Sequence, residues 1–463
     1  MSRILKIVTP VDGSVYAERP AASAQEVDAA LARAVKAQQA WRRTPLAERL
    51  AIASRFVDAF VAKGSEIALE LSWQMGRPSA QTPGEVRGFA ERGRMMIGLA
   101  AEGLADIRPV AKEGFERFIR REPLGVVFVV GAWNYPYLIT VNAVLPAIVA
   151  GNAVILKQAT QTLLCAERFA AAWREAGLPD GVFQALHLGG ADAEPVIRDP
   201  RVAFVAFTGS VSVGRRVQHV AADRFIGVGL ELGGKDPAYV RADANLSHAV
   251  ENVVDGAFFN SGQSCCGVER VYVHESVYDA FVDGAAALAR TYRLGNPIEP
   301  DVNLGPVVNA EAAAFIRAQN EEAVAQGARA LVDPALFPAD RVGTPYLAPQ
   351  ILVNVDHTMR AMTEETFGPT VGVMKVRSDD EAVALMNDSP YGLTASVWTA
   401  DEQAAQSIGA RLETGTVFMN RCDYLDPALA WVGVKDSGRG CTLSVLGYEH
   451  LTRPKSYHLR VKI

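Results

Sequence analysis

Apolar positions fall into two regimes along the chain. Up to residue 107 they recur at helical spacing. This predicts helices over Glu26–Trp41, Ala47–Lys63, Ser65–Met75 and, after the break at Gly76-Arg77-Pro78, Pro83–Ile107. From Gly125 the period changes. Short uninterrupted apolar runs appear at Gly125–Gly131, Ala153–Lys157, Val182–Leu188, Val202–Phe207 and Ile226–Leu232. Between them lie helix-spaced segments at Pro136–Ala150, Leu163–Ala176, Ala193–Arg198 and Val213–Asp223. A strand covered on both faces reads as such a run, and strands alternating with helices give a parallel, doubly wound sheet. Its ligand crevice lies beyond the carboxyl ends of the strands.

A second α/β set runs from Asp236 to Asn420. Strands near Val268–His274, Pro369–Val376 and Ser396–Thr399 are interleaved with helices near Leu246–Phe259, Val277–Tyr292, Ala310–Ala325 and Asp380–Met386. Two further runs alternate like strands with a polar face, Phe115–Arg121 and Ser456–Val461, and an edge or inter-subunit role suits them. The pattern as a whole predicts an α/β protein with two doubly wound sheets and a small extra β element.

Composition narrows the function. At 463 residues the chain is too long for one ordinary core, so two or three domains are expected. With 49% hydrophobic and 21% charged residues it falls in the soluble globular class. A net charge of −6 argues against a nucleic-acid partner. No apolar run approaches the ~20 residues of a membrane helix. Met1–Thr9 lacks the apolar core of a signal peptide. The five cysteines, Cys165, Cys265, Cys266, Cys422 and Cys441, form no CxxC pair, and adjacent cysteines make a poor disulfide. A reduced, cytoplasmic protein is the simplest expectation. The histidines show no HExxH motif or Cys/His cluster, so no metal site is expected.

Candidate chemistry gathers at strand ends and at one turn. Phe258-Phe259-Asn260-Ser261-Gly262-Gln263-Ser264-Cys265-Cys266-Gly267 closes a helix with residues that tolerate the left-handed conformation and then presents two thiols. Such a thiol is either an aimed nucleophile or a small buried hydrophobe. Asn134, just before the helix opened by Pro136, can donate its amide to an oxyanion or cap that helix. Lys157 at its strand tip can meet a ribose or phosphate, or simply be solvated. The small residues of Phe207-Thr208-Gly209-Ser210-Val211-Ser212-Val213-Gly214 allow backbone N–H groups to approach a diphosphate, although this is not a GxGxxG fingerprint. Glu231, closing an apolar strand, is placed for a desolvated general base or for an ion pair with a lysine. Glu364-Glu365 and Phe367 read first as a solvated helix end and a core aromatic.

Together these segments carry a resemblance. Asn134-Tyr135-Pro136, Lys157, Phe207-Thr208-Gly209-Ser210, Glu231-Leu232-Gly233-Gly234, Gly262-Gln263-Ser264-Cys265 and Glu365-Thr366-Phe367-Gly368-Pro369 stand in the order and spacing of the aldehyde dehydrogenase superfamily. Asn387-Asp388-Ser389-Pro390-Tyr391-Gly392-Leu393, Gly415-Thr416-Val417 and Gly433-Val434-Lys435-Asp436-Ser437-Gly438 continue the match, which spans essentially the whole chain.

The resemblance implies an NAD(P)-binding domain from residues 1–104 and 124–233. A catalytic domain would span 234–444, and a β oligomerisation element 105–123 with 445–463. It makes Cys265 the nucleophile, Glu231 the base for the hydrolytic water, and Asn134 with the Cys265 backbone N–H the oxyanion hole. It places Trp133, Lys157, Thr160, Gly209, Ser210, Val213, Gly214, Leu232, Glu365 and Phe367 at the dinucleotide. By the same carry-over the substrate pocket is lined by Tyr135, Ile139, Asn142, Ser264, Cys266, Tyr424, Leu425 and Trp431.

The implied reaction oxidises a small-molecule aldehyde to the acid through a thiohemiacetal and a thioester. Transfer of the acyl group to coenzyme A is the alternative, as is a non-catalytic relative that keeps only the fold. The presence of Glu231 favours hydrolysis, because coenzyme A-dependent relatives generally lack a base there. The implied assembly is a homodimer or homotetramer, with no nucleic-acid or membrane partner. One departure bears on the cofactor: the segment usually reading Lys-Pro-Ser/Ala-Glu is Lys157-Gln158-Ala159-Thr160 here. Without the usual Glu, a 2′-phosphate meets no negative charge, so NADP is expected to be accepted alongside NAD. Ala132 also replaces the usual proline before Trp133. The mostly apolar pocket points to a medium aliphatic or aromatic aldehyde, and a semialdehyde stays open through Arg421.

Overall fold

Every residue of the strand Val126–Val130 is buried, and it lies inside a six-stranded sheet of a computed structural model that describes residues 3–463. The strand order is Gly438–Arg439, Gly227–Glu231, Val202–Thr208, Val126–Val130, Ala153–Lys157, Phe183–Ala185. All neighbours are parallel except the first pair, in which Gly438 faces Glu231 and Arg439 faces Leu230. The register pairs Val130 with both Lys157 and Phe207, and Thr208 with Glu231. Lys157, Thr208, Glu231 and the loop after Val130 therefore share one sheet edge.

A seven-stranded sheet carries the second half, in the order Arg329–Ala330, Gln350–Val353, Thr370–Val376, Val268–His274, Asp236–Val240, Thr394–Trp398, Thr416–Met419. Only the outermost pair, Arg329–Ala330 with Gln350–Val353, is antiparallel. Four of these strands escape the hydrophobic pattern, the two-residue Arg329–Ala330 among them. Asp236–Val240 opens with Asp-Pro, which reads as a turn, yet it is buried throughout. Its Asp236 carboxylate accepts from the Thr394 backbone N–H at 3.1 Å and the Thr394 hydroxyl at 2.5 Å, tying two neighbouring strands together. Gln350–Val353 and Thr416–Met419 have four residues each, too short to show a period. The expected strand Val182–Leu188 shrinks to Phe183–Ala185, because it pairs only with Val154–Leu156.

The amino-terminal region is not purely helical. Ile4–Val8 and Val15–Pro20 form an antiparallel hairpin, which anchors through the buried Leu5 and Ile7 against Leu163. So few inward positions give no readable pattern. Helices Ala24–Trp41, Leu46–Val61, Gly64–Met75 and Thr82–Gly103 follow, the first opened by a capping box between Ser23 and Glu26. Helix Pro136–Val149 is buried almost all round, and aromatic packing secures this layer, with Phe56 stacked on Trp173 at 3.7 Å between ring centroids. Outside both sheets, Phe115–Pro123 and Thr452–Arg460 form a two-stranded antiparallel ribbon, longer than the alternating runs suggest.

Among the described residues no helix is long and apolar enough to cross a membrane. No group of three or more His, Cys, Asp or Glu residues there is arranged to hold a metal ion.

Candidate active site

Helix Leu246–Phe258 ends in three successive left-handed residues, Asn260, Ser261 and Gly262, with φ of 53°, 56° and 72°. Gly262 is required here, since a Cβ would collide with the Gly368 carbonyl. The other two pay a conformational cost and persist because side chains over-determine them. Asn260 Oδ1 accepts from Arg77 Nε at 3.0 Å, and its Nδ2 donates to the carbonyls of Asn134 at 3.2 Å and Gln263 at 3.1 Å. Ser261 Oγ donates to the Gly305 carbonyl at 2.8 Å. Gln263 donates to the Asn260 carbonyl at 3.0 Å and accepts from the Val308 N–H at 2.7 Å. The turn is rigid for polar reasons, all of them buried.

That rigidity separates the two thiols. Cys265 is half-buried and opens into a cavity of about 410 Å³. Cys266 is 3% exposed, and its Sγ donates to Asp423 Oδ1 at 3.1 Å, an oxygen that also accepts from Ser264 Oγ at 2.7 Å. Contact with Cys265, burial and the Asp423 carboxylate, in that order, push the Cys266 thiol well above the usual range. Burial likewise raises Asp423, to about 6, against the lowering effect of its two donors. All five cysteines are free thiols.

Asn134 does not cap the helix that follows it. Its Nδ2 donates to the Gln263 carbonyl at 3.2 Å, which uses one of its two N–H bonds. The helix start is instead satisfied by Glu85, whose Oε1 accepts from the N–H of Tyr137 at 2.8 Å. Glu85 in turn is ion-paired with Arg77, and both are buried. Arg77 also donates to the Asn134 carbonyl and lies 4.2 Å from the Tyr135 ring centroid. One guanidinium thus binds the strand end, the helix cap and the cysteine turn.

Glu231, half-buried, makes no ion pair among the described residues. Its two carboxylate oxygens accept from the hydroxyls of Thr442 at 2.6 Å and Thr208 at 3.2 Å. Burial raises its pKa, while these hydroxyls and the charge of Arg92 pull it down. Glu231 and Cys265 line the same cavity.

Lys157, expected at a dinucleotide, ends a strand at the same sheet edge as Glu231. Lys157 is 7% exposed with no hydrogen-bonding or ionic partner among the described residues, and burial lowers it to about 8. A buried ammonium without a partner fits an acceptor-rich ligand such as ribose or phosphate. Thr160 opens a 3₁₀ turn, Thr160–Thr162, close by. Gln158 braces the strand ends, donating to the Ala132 carbonyl at 2.5 Å and accepting from Thr140 at 3.2 Å.

Ser210 caps helix Val211–Ala221, its hydroxyl accepting from the Val213 N–H at 3.5 Å, and Val213 is exposed on the first turn. Gly214 is needed for packing, as a Cβ there would meet the Leu232 side chain at 2.5 Å. The Gly209 N–H donates to the Glu231 carbonyl at 3.1 Å, so the Gly-rich turn is clamped to the strand of the base. Glu365 accepts from the Gly234 N–H at 3.0 Å, and burial, followed by Glu269, pushes it up to about 8. Glu364 is the solvated acid of the pair, bridged to Arg360. Phe367 is half-buried rather than a core residue, held at φ 50° and packed edge-on against Trp133 at 5.6 Å.

Tyr135, Ile139, Asn142, Ser264, Cys266, Tyr424, Leu425 and Trp431 all line the cavity that contains Cys265. Arg421 does not: it is exposed and stacks on the Tyr424 ring at 3.4 Å. Sequence reading missed Arg77, Glu85, Arg92, Thr442 and Asp423 as site residues, and took Thr208 only as part of the Gly-rich turn. Only Arg77 carried a local signal, the break at Gly76-Arg77-Pro78. The others sit within helices or loops whose neighbours come from distant segments.

Two largely parallel sheets, with Lys157 and Glu231 at strand ends of one and a cavity carrying Cys265 beside them, fit an oxidoreductase of the NAD(P)-dependent class. The aldehyde dehydrogenase family model matches residues 2–457, and the chain belongs to that family. It is 34% identical over 453 residues to succinate-semialdehyde dehydrogenase [NADP(+)] 1 of Mycobacterium tuberculosis, covering 97% of this chain and 98% of that protein. It is 33% identical over 458 residues to betaine aldehyde dehydrogenase of Cereibacter sphaeroides, covering 98% of this chain and 93% of that one. The NADP-dependent glyceraldehyde-3-phosphate dehydrogenase of Bacillus halodurans, solved with NADP, superposes with a TM-score of 0.93 at 32% identity, covering 99% of this chain and 96% of that one. The protein is an NAD(P)-dependent aldehyde dehydrogenase.

Proposed function

We propose that this enzyme converts its aldehyde to the carboxylic acid by covalent catalysis at Cys265. One observation carries the reading: Cys265 and Glu231 line one cavity, while the Asn134 amide is fixed against the carbonyl of Gln263, on the cysteine turn itself. The Cys265 thiolate forms an S–C bond to the aldehyde carbon, and the carbonyl electron pair moves onto oxygen. The second Asn134 N–H and the Cys265 backbone N–H meet that charge. A nicotinamide held there would supply the acceptor for the hydride that leaves the adduct carbon as its C=O bond re-forms to give a thioester. Glu231 then takes a proton from water, the water oxygen bonds to the acyl carbon, and the C–S bond breaks with the thiolate as leaving group.

The residues available to hold the dinucleotide are Lys157, Thr160, the turn from Gly209 to Gly214 and Glu365, with Trp133 and Phe367 as aromatic walls. Lys157 and Glu365 suit it because the first is buried, the second half-buried, and both have unused hydrogen-bonding capacity.

Two variants test the chemistry. Cys265→Ala should form no reduced cofactor, and appreciable turnover would sink the assignment. Glu231→Gln should give one burst of reduced cofactor per active site, with steady-state turnover lowered ~100-fold or more. Unimpaired steady-state turnover would remove Glu231 as the base.

A further inference from the structure

Arginines this deeply buried are almost always paired with an acid. Arg92, on the cavity side of helix Thr82–Gly103, is 8% exposed and is not. Its Nη1 donates to the Leu138 carbonyl at 2.8 Å and lies 3.5 Å from Asn142 Oδ1. Its Nε and Nη2 have no hydrogen-bond partner, and no carboxylate oxygen comes within 4.0 Å of it, among the described residues. The contrast with Arg77, on the same wall, is direct: Arg77 is saturated by Glu85, Asn260 and the Asn134 carbonyl.

Four of the five acids that line the cavity are engaged elsewhere. Glu85 is locked to Arg77, and Asp423 accepts from Ser264 and Cys266. Glu231 accepts from two threonines, and Glu91 from the Tyr424 hydroxyl at 3.0 Å. Asp255 is exposed at the rim. Burial lowers the pKa of Arg92, opposed by Cys266, Glu231, Glu85 and Cys265, all of which line the same cavity. A guanidinium remains charged even so.

The structure carries a desolvated cation with one open fork in the reaction cavity, and it lacks the anion that would match it. We infer that Arg92 is a specificity residue for an anionic group on the substrate, so that the enzyme takes an ω-carboxylated aldehyde. The carboxylate lies on the free Nε–Nη2 edge in a two-bond, fork-to-fork arrangement. The chain between carboxylate and aldehyde is covered by the apolar lining of Ile139, Leu425 and Trp431. This inference rests on the aldehyde-oxidising reading and adds the substrate class to it. The names of the relatives do not settle the class, since one carries an anionic aldehyde and the other a cationic one.

The test uses matched pairs differing only in the terminal group: butanal with succinic semialdehyde, and pentanal with glutaric semialdehyde, with betaine aldehyde as a cationic probe. In the wild-type enzyme kcat/KM should favour the carboxylated member of each pair by at least ~10-fold, the scale of a charge-assisted hydrogen bond. In Arg92→Gln that ratio should collapse by roughly 10- to 100-fold, and Arg92→Lys should keep part of it. A wild-type ratio near one, or a preference for betaine aldehyde, overturns the inference even if the Gln variant fails to fold. An equal loss on both members of a pair in Arg92→Gln also overturns it, and makes Arg92 an electrostatic support for Cys265 and Glu231. Turnover of neutral aldehydes without preference leaves the aldehyde-oxidising reading standing, whereas no reduced cofactor from any aldehyde removes both.

Discussion

Arg77 Nε donates to Asn260 Oδ1 across 3.0 Å, joining residues 183 positions apart in the chain. Through the same guanidinium Asn260 is connected to Glu85 and to the Asn134 carbonyl, so one buried charge holds the cysteine turn, the loop at Asn134 and a helix start in register. The cation is fully used, and its role is geometric.

Removing one member of this pair leaves an unpaired buried charge. Arg77→Ala or Glu85→Ala should each destabilise the protein by ~3–5 kcal/mol, read as a fall in Tm or in the denaturant midpoint. Both should lower kcat as well, because the Asn134 and Asn260 amides lose their anchor. The double variant should be less destabilised than the sum of the singles. Additive losses would show that the pair is not coupled.

The two thiols should behave differently. Iodoacetamide at neutral pH should label Cys265 first, because it opens into the cavity, while Cys266 is buried with a raised pKa. Labelling should track inactivation, with mass spectrometry locating the adduct. Cys266→Ala should keep turnover within about tenfold, the scale of one lost hydrogen bond. Loss of all turnover in that variant would assign the chemistry to the wrong sulfur.

The pH profile should report on Glu231. Only the ionised carboxylate accepts a proton, so turnover falls as pH drops through its pKa, which burial has raised above the usual glutamate range. The Thr442 and Thr208 hydroxyls donate to the charged form and hold that pKa down. In Thr442→Val the acid limb should therefore move up by about one unit, and in Thr208→Val by less, since its bond is longer. An acid limb that stays in place in Thr442→Val would show that this hydroxyl does not tune the base.

Cofactor choice should turn on Thr160. With no acid at that position, kcat/KM for NADP should be comparable to or above that for NAD. Thr160→Glu should restore repulsion of a 2′-phosphate and lower kcat/KM for NADP by ~10-fold or more, the scale of placing like charges together in a partly buried site. A strong preference for NAD in the unaltered enzyme would contradict this.

What could be read from the chain alone were features with a local cause. Gly125–Gly131 and Ala153–Lys157 read as buried strands because both faces are covered, which shows directly as an unbroken apolar run. Asn260 and Gly262 read as a helix stop because their backbone tolerates the left-handed region. Glu231, Asn134 and Lys157 stood out because strand ends in a doubly wound sheet point into one crevice, Cys265 because of its turn, and the family resemblance gave them their expected roles. The sequence by itself therefore determined the fold class and named the candidate reactive groups.

Only the tertiary structure decided how those groups are held and what surrounds them. Asp236–Val240 is a central strand despite its Asp-Pro start, because Thr394, 158 residues on, satisfies the Asp236 carboxylate. The Asn134 side chain turns to the cysteine turn, where its Nδ2 donates to the Gln263 carbonyl, because Glu85 accepts from the start of the following helix instead. Glu231 has hydroxyl partners rather than a lysine because Thr442, 211 residues later, returns beside it. Arg77 and Arg92 look alike on paper, one arginine just before helix Thr82–Gly103 and one in its middle. Desolvation with partners makes the first a structural anchor, and desolvation without them leaves the second for the substrate. Pairing of that kind is a property of the folded interior, where each buried charge must be accounted for, and it leaves no trace in local sequence.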